Sequence, residues 1–98
     1  AGHKVYPLEV ERVALQFPGV LEACLVGRPD PVQGIRLKLF LSARPGETPD
    51  PALLLRHLRA SLEEGKLPRE IEFLPELPRT ETGKVSRRLL TERASGGA

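Results

Sequence analysis

Apolar residues in the stretch PLEVERVALQF, residues 7–17, recur at Val10, Val13, Ala14 and Phe17, which is one face of a helix. Pro7 suits the first helical position, and Glu9 and Glu11 suit the positive N-terminal end. Pro18 and Gly19 stop the helix. The pattern then changes. Residues 20–27, VLEACLVG, are short, apolar and bounded by turn formers, which predicts a buried strand. Residues 35–42, IRLKLFLS, alternate: Ile35, Leu37, Leu39 and Leu41 share one face, and Arg36, Lys38, Phe40 and Ser42 the other. This predicts a half-buried strand with period two.

The turn-rich ARPGETPDP follows. Asp50 is placed to cap a second helix with Pro51 at its first position. That helix is expected to run to about Glu64, with Leu54, Leu55, Leu58 and Leu62 on its apolar face and Gly65 ending it. Residues 70–74, EIEFL, read as a third strand. LPRTETGK, residues 77–84, reads as a loop. VSRRLLTERA, residues 85–94, reads as a terminal helix with Val85 and Leu89 inward, and residues 93–98 are expected to fray. The resulting fold class is α+β: a small three-stranded sheet with helices packed on it, in the order α-β-β-α-β-α.

Composition narrows the possibilities. The 98 residues suffice for one domain, and 40% hydrophobic with 29% charged residues is the balance of a folded protein, not a disordered one. No apolar run approaches the roughly 20 residues of a membrane span, and no secretory leader is visible. The lone Cys24 excludes an internal disulfide and reads as a buried thiol in a reducing compartment, the cytoplasm. One Cys and two His argue against a structural metal site. The net charge of +2 permits nucleic-acid binding without demanding it. Because the chain starts AGHKVYPLEVE without Met, it reads as a fragment of a longer protein.

No Ser/His/Asp set, metal spacing or paired carboxylates stand out. The dipeptide Gly83-Lys84 is not a P-loop, because the glycine required five residues ahead of Gly83 is Pro78. The segment PRTETGK nonetheless has a physical logic. Pro78 stiffens it, Thr80 and Thr82 can hold a turn, and Gly83 permits a positive φ or close approach to a ligand. Lys84 would then stand on a rigid tip as a compact cation suited to a carboxylate or phosphate oxygen. On loop logic alone, a solvated surface lysine is the alternative.

LPRTETGKVSRRLL, residues 77–90, resembles the C-terminal signature of the adenylate-forming (AMP-binding) superfamily, most like acyl-CoA synthetases. Leu77, Pro78, Arg79, Thr80, Gly83, Lys84 and Arg87 match it. GHKVYPLEVE resembles the glycine-led strand and Pro-x-Glu-x-Glu helix start that follow the hinge in that family, with Gly2, Pro7, Glu9 and Glu11 matching. PGVLEACLVGRPDP resembles the next strand and loop. A Tyr-Lys pair often found before the third strand is replaced by Gly65-Lys66.

The resemblance implies a mobile C-terminal lid on a larger N-terminal domain that binds ATP, with Mg2+ held mainly by that domain, and the carboxylic acid. Lys84 would be the catalytic lysine of acyl-adenylate formation, with Gly83 beside the substrate. After a domain rotation, Gly2, His3 and Lys4 would line the tunnel for the pantetheine arm of CoA, and Arg59 would meet the CoA nucleotide phosphates. The partners so implied are the protein's own N-terminal adenylation domain, the acid and CoA. Three alternatives are an adenylation domain loading a carrier protein, a small basic nucleic-acid-binding module using Arg87, Arg88 and Arg93, and a purely structural interaction domain.

Overall fold

The computed structural model describes residues 6–32 and 34–96. Helix α1 is Pro7–Leu15, strand β1 Val20–Asp30, strand β2 Gly34–Ala43 and helix α2 Pro51–Ser61. A 3₁₀ turn at Glu64–Lys66 leads to strand β3, Glu70–Phe73, and helix α3 is Arg87–Ala94. The sheet order is β1-β2-β3, with β1 antiparallel to β2 and β3 parallel to β2. Parallel neighbours need a crossover, and α2 supplies it. The α+β fold class and element order follow the sequence reading.

Several boundaries and faces differ from expectation. β1 continues three residues past Gly27, through Pro29, which pairs with Ile35. Proline is tolerated there because β1 is an edge strand and its missing N–H breaks no ladder. α2 stops at Ser61, before Glu64, because Leu62 turns to an extended conformation (φ −123°, ψ 147°). Leu62 thereby stays in the core although the helix has ended. The caps Asp50 and Ser86 each accept a backbone N–H, from Ala52 at 2.8 Å and Leu89 at 3.2 Å.

The largest correction concerns β2, which is buried on both faces. On one face Leu39 and Leu41 join Val10 and Ala14 of α1, Leu25 of β1, and Leu54 and Leu58 of α2. On the other, Phe40 is fully buried among Cys24, Val26, Leu77, Leu90 and Ala94. Alternation of charge at Arg36 and Lys38 hid this, because only the first half of β2 has a polar second face. α3 therefore packs through Leu90 and Ala94, while Leu89 is exposed. Ala94 and Arg93, expected to fray, are the last residues of α3.

Arg93 ties α3 back to the sheet. Its guanidinium lies 2.6 Å from Glu72 of β3, whose other oxygen meets Lys38 at 2.8 Å. Hydrogen bonds from Arg93 and then Lys38 hold the Glu72 carboxyl below its ordinary value of 4.5, against the opposing effect of burial. A lowered folded-state value means the contribution is fully present above pH 4.5 and is lost as pH falls through the lowered value. We expect Glu72→Gln to lower stability at neutral pH and to flatten its decline in acid, as read by urea midpoints across the acid range. A variant with the unaltered acid slope would contradict this. Phe40→Ala is expected to cost about 3–5 kcal/mol in the same measurement; a cost under about 1 kcal/mol would mean the second face is not a packed core.

Candidate active site

The segment read as a loop is a miniature hairpin. Leu77 is fully buried and anchors its start. The N–H of Ser86 donates to Pro78 O at 2.7 Å, and Arg79 bridges to Val85. Thr80 N–H then donates to Lys84 O at 2.7 Å, and Gly83 N–H to Thr80 O at 2.9 Å. Glu81, Thr82 and Gly83 thus form a three-residue connection, with Gly83 in the left-handed region at φ 86°, as such connections require. The Thr80 hydroxyl lies 3.0 Å from that of Thr82 and accepts the Lys84 N–H at 3.3 Å. The threonines hold the turn as their local bonding capacity suggests.

Two glutamates grip the hairpin from outside. Glu22 of β1 pairs with Arg79, and its second oxygen accepts from the buried Ser42 hydroxyl at 2.9 Å. Glu11 of α1 lies 3.1 Å from Arg87, the first residue of α3. Lys84 sits between these anchors, exposed. Among the described residues its ammonium has no partner, and its only bonds are through its backbone. By contrast, Lys38 is paired with Glu72 and Lys66 with Glu9. Hydrogen bonding to Glu9 raises the Lys66 pKa.

Arg59 lies elsewhere. It is exposed in the last turn of α2, on the sheet face opposite α3, at a groove of about 430 Å³ that also includes Arg69, Leu37, Leu55 and Gly65. The structure does not bring Arg59 and Lys84 together. Gly2, His3 and Lys4 lie outside the described residues. Among the described residues no group of three or more His, Cys, Asp and Glu could hold a metal ion, and no helix is long and apolar enough to cross a membrane. Cys24 is buried, and burial pushes its thiol up, so it is not an activated nucleophile. His57 is held 2.7 Å from Val13 O and tilted against Phe17, a packing role between α2 and α1.

This hairpin, set on a two-faced three-stranded sheet, has known counterparts. The family model described as "AMP-binding enzyme C-terminal domain" matches residues 9–84. The chain belongs to that family. It is similar to the fatty acid–[acyl-carrier-protein] ligase ScoC of Streptomyces coeruleorubidus, with 43% identity over 96 residues, covering 98% of this chain and 18% of that protein. It is also similar to acetyl-coenzyme A synthetase of Bacillus subtilis, with 39% identity over 94 residues, covering 92% of this chain and 16% of that protein. The crystal structure of apo MatB from Rhodopseudomonas palustris superposes with a TM-score of 0.91 at 33% identity, covering 97% of this chain and 19% of that one. The chain therefore spans less than a fifth of the length of these proteins.

Within this AMP-binding C-terminal domain, sequence reasoning singled out Lys84 and Gly83 as candidates but did not foresee the pairing of Glu22 with Arg79 or the buried side of Glu11. A signal existed for Glu11: it falls beside Val10 and Ala14 on the helix, where an acid must find a partner. None existed for Glu22, whose partner Arg79 is remote in sequence. The hairpin also yields a test. A Cβ on Gly83 would meet open space, so only its left-handed φ opposes substitution. Gly83→Ala is expected to cost about 1–2 kcal/mol, measured by urea denaturation, and a neutral substitution would mean the turn tolerates another conformation.

Proposed function

We propose that this chain is the C-terminal mobile domain of an ATP-dependent acyl-CoA synthetase, with Lys84 as its catalytic lysine. The observation that carries this reading is the isolation of the Lys84 ammonium. Among the described residues it stands unpaired, on a glycine-bearing hairpin held at both ends, while Lys38 and Lys66 are neutralised by carboxylates.

The reaction explains the need. A carboxylate attacks the α-phosphorus of ATP, a C–O–P linkage forms, and pyrophosphate leaves. Both reactants are anionic, so a cation beside the oxygens where charge accumulates lowers the barrier. Lys84 supplies that cation, and the Gly83 backbone lets the tip approach closely. Mg2+ accompanying ATP is assigned to the N-terminal adenylation domain on sequence resemblance alone.

In the second half-reaction the CoA thiol attacks the acyl carbon and AMP departs. The separation of Arg59 from Lys84 across the sheet supports a domain that presents different faces in the two steps. Arg59 and Arg69 at the α2 groove suit the nucleotide phosphates of CoA, and Gly2, His3 and Lys4 are assigned to the pantetheine arm on sequence resemblance alone. Kinship with acetyl-coenzyme A synthetase favours CoA as acceptor. Kinship with a carrier-protein ligase keeps a phosphopantetheine carrier as the second acceptor class, and supplying each acceptor to the full-length enzyme separates the two. The nucleic-acid reading is less favoured, since Arg87, Arg88 and Arg93 are ion-paired with Glu11, Glu92 and Glu72 respectively.

Lys84→Ala in the full-length enzyme is expected to lower pyrophosphate–ATP exchange on the order of 10²–10³-fold and to leave thioester formation from supplied acyl-adenylate largely intact. Unchanged exchange would overturn the assignment.

A further inference from the structure

We infer that Glu11 is a positioning residue for Lys84, acting through Arg87. The inference rests on the adenylation role proposed for Lys84 and adds a device that sets its position.

Glu11 is an acid in the interior. Its side chain is 9% exposed, while that of its partner Arg87 is 50% exposed. One carboxylate oxygen, Oε2, accepts the Leu25 N–H at 2.8 Å and lies 3.1 Å from Arg87 Nη1. The same Nη1 donates to Leu25 O. Both backbone groups of Leu25 thus face away from β2, on the free edge of β1. Glu11 and Arg87 close over that edge together. α1 packs with the Leu39 face of the sheet and α3 with the Phe40 face, so the pair is a staple between two helical layers that the sheet otherwise separates.

The staple reaches Lys84 through short, stiff connections. Arg87 is the first residue of α3, and Ser86 immediately before it has two tasks. Its hydroxyl caps α3 at Leu89 N, and its N–H closes the hairpin at Pro78 O. Lys84 is two residues before Ser86 and locked to Thr80. A shift of Arg87 therefore carries the cap and the hairpin with it. On the other arm, Glu22 and Arg79 limit the hairpin's swing. Stability alone is a weak reason for such a pair, because the cost of drying a carboxylate offsets much of its attraction to a half-solvated guanidinium. A fixed tip position is what the geometry supplies.

Glu11→Gln in the full-length enzyme tests this. The amide oxygen can still accept the Leu25 N–H, but the charge that orients Arg87 is gone. Pyrophosphate–ATP exchange at saturating substrates is expected to fall about tenfold, the scale for a small misplacement of a reacting group. KM for the acid and thioester formation from supplied acyl-adenylate are expected to hold. Arg87→Gln should show the same split, and the double variant should lose no more than the worse single. Arg87→Lys, which keeps the charge but not the fork, should be intermediate. Normal exchange in Glu11→Gln would overturn the inference. So would an equal fall in both half-reactions with a lowered melting temperature, which marks a purely structural role, or additive losses in the double variant. Lys84→Ala measured alongside separates the two levels. If it exchanges normally, the catalytic assignment itself fails; if it is inactive while Glu11→Gln is normal, only the positioning role fails.

Discussion

Two adjacent residues of the central strand, Leu39 and Phe40, are both fully buried and point to opposite sides of the sheet. Much of the molecule follows from that constraint. One side needs the α1–α2 layer, and the other needs a second cover. The second cover is built from Leu77 at the start of the hairpin and from Leu90 and Ala94 of the helix after it. The candidate catalytic segment is therefore part of the fold's second layer, not an appendage to a finished core.

Polar pairing then sharpens what apolar burial begins. Arg79, Arg87 and Arg93 lie before, just after and beyond the hairpin tip, and each is matched by a glutamate from a different element: Glu22, Glu11 and Glu72. Exposed ion pairs contribute little stability singly. Their common effect here is on geometry. They hold the hairpin and α3 against β1, α1 and β3, while Lys84 at the tip has no carboxylate partner among the described residues.

Much of this was legible in the chain. Proline at helix starts, Asp50 as a cap, and period-two alternation in residues 35–42 are local signals that depend only on neighbours in sequence. Gly83 was legible for the same reason, since a tight turn before Lys84 needs a left-handed residue. Phe40 was misread because alternation reports the face that is always buried and says nothing of a cover arriving from far along the chain. Leu89 was chosen over Leu90 for the same reason: a short helix with few apolar residues fits two orientations, and only its docking partner selects one.

The sequence by itself determined the elements, their order, the turn chemistry and the motif that marks Lys84, because each rests on interactions within a few residues. Tertiary structure alone decided that β3 runs parallel to β2, that the sheet is covered twice, and that Glu11 and Arg87 meet over the edge of β1. Those outcomes join residues as far apart as 62 and 76 positions in the chain. No local pattern encodes a partner at such a distance, since the choice depends on which surfaces the rest of the fold has already buried.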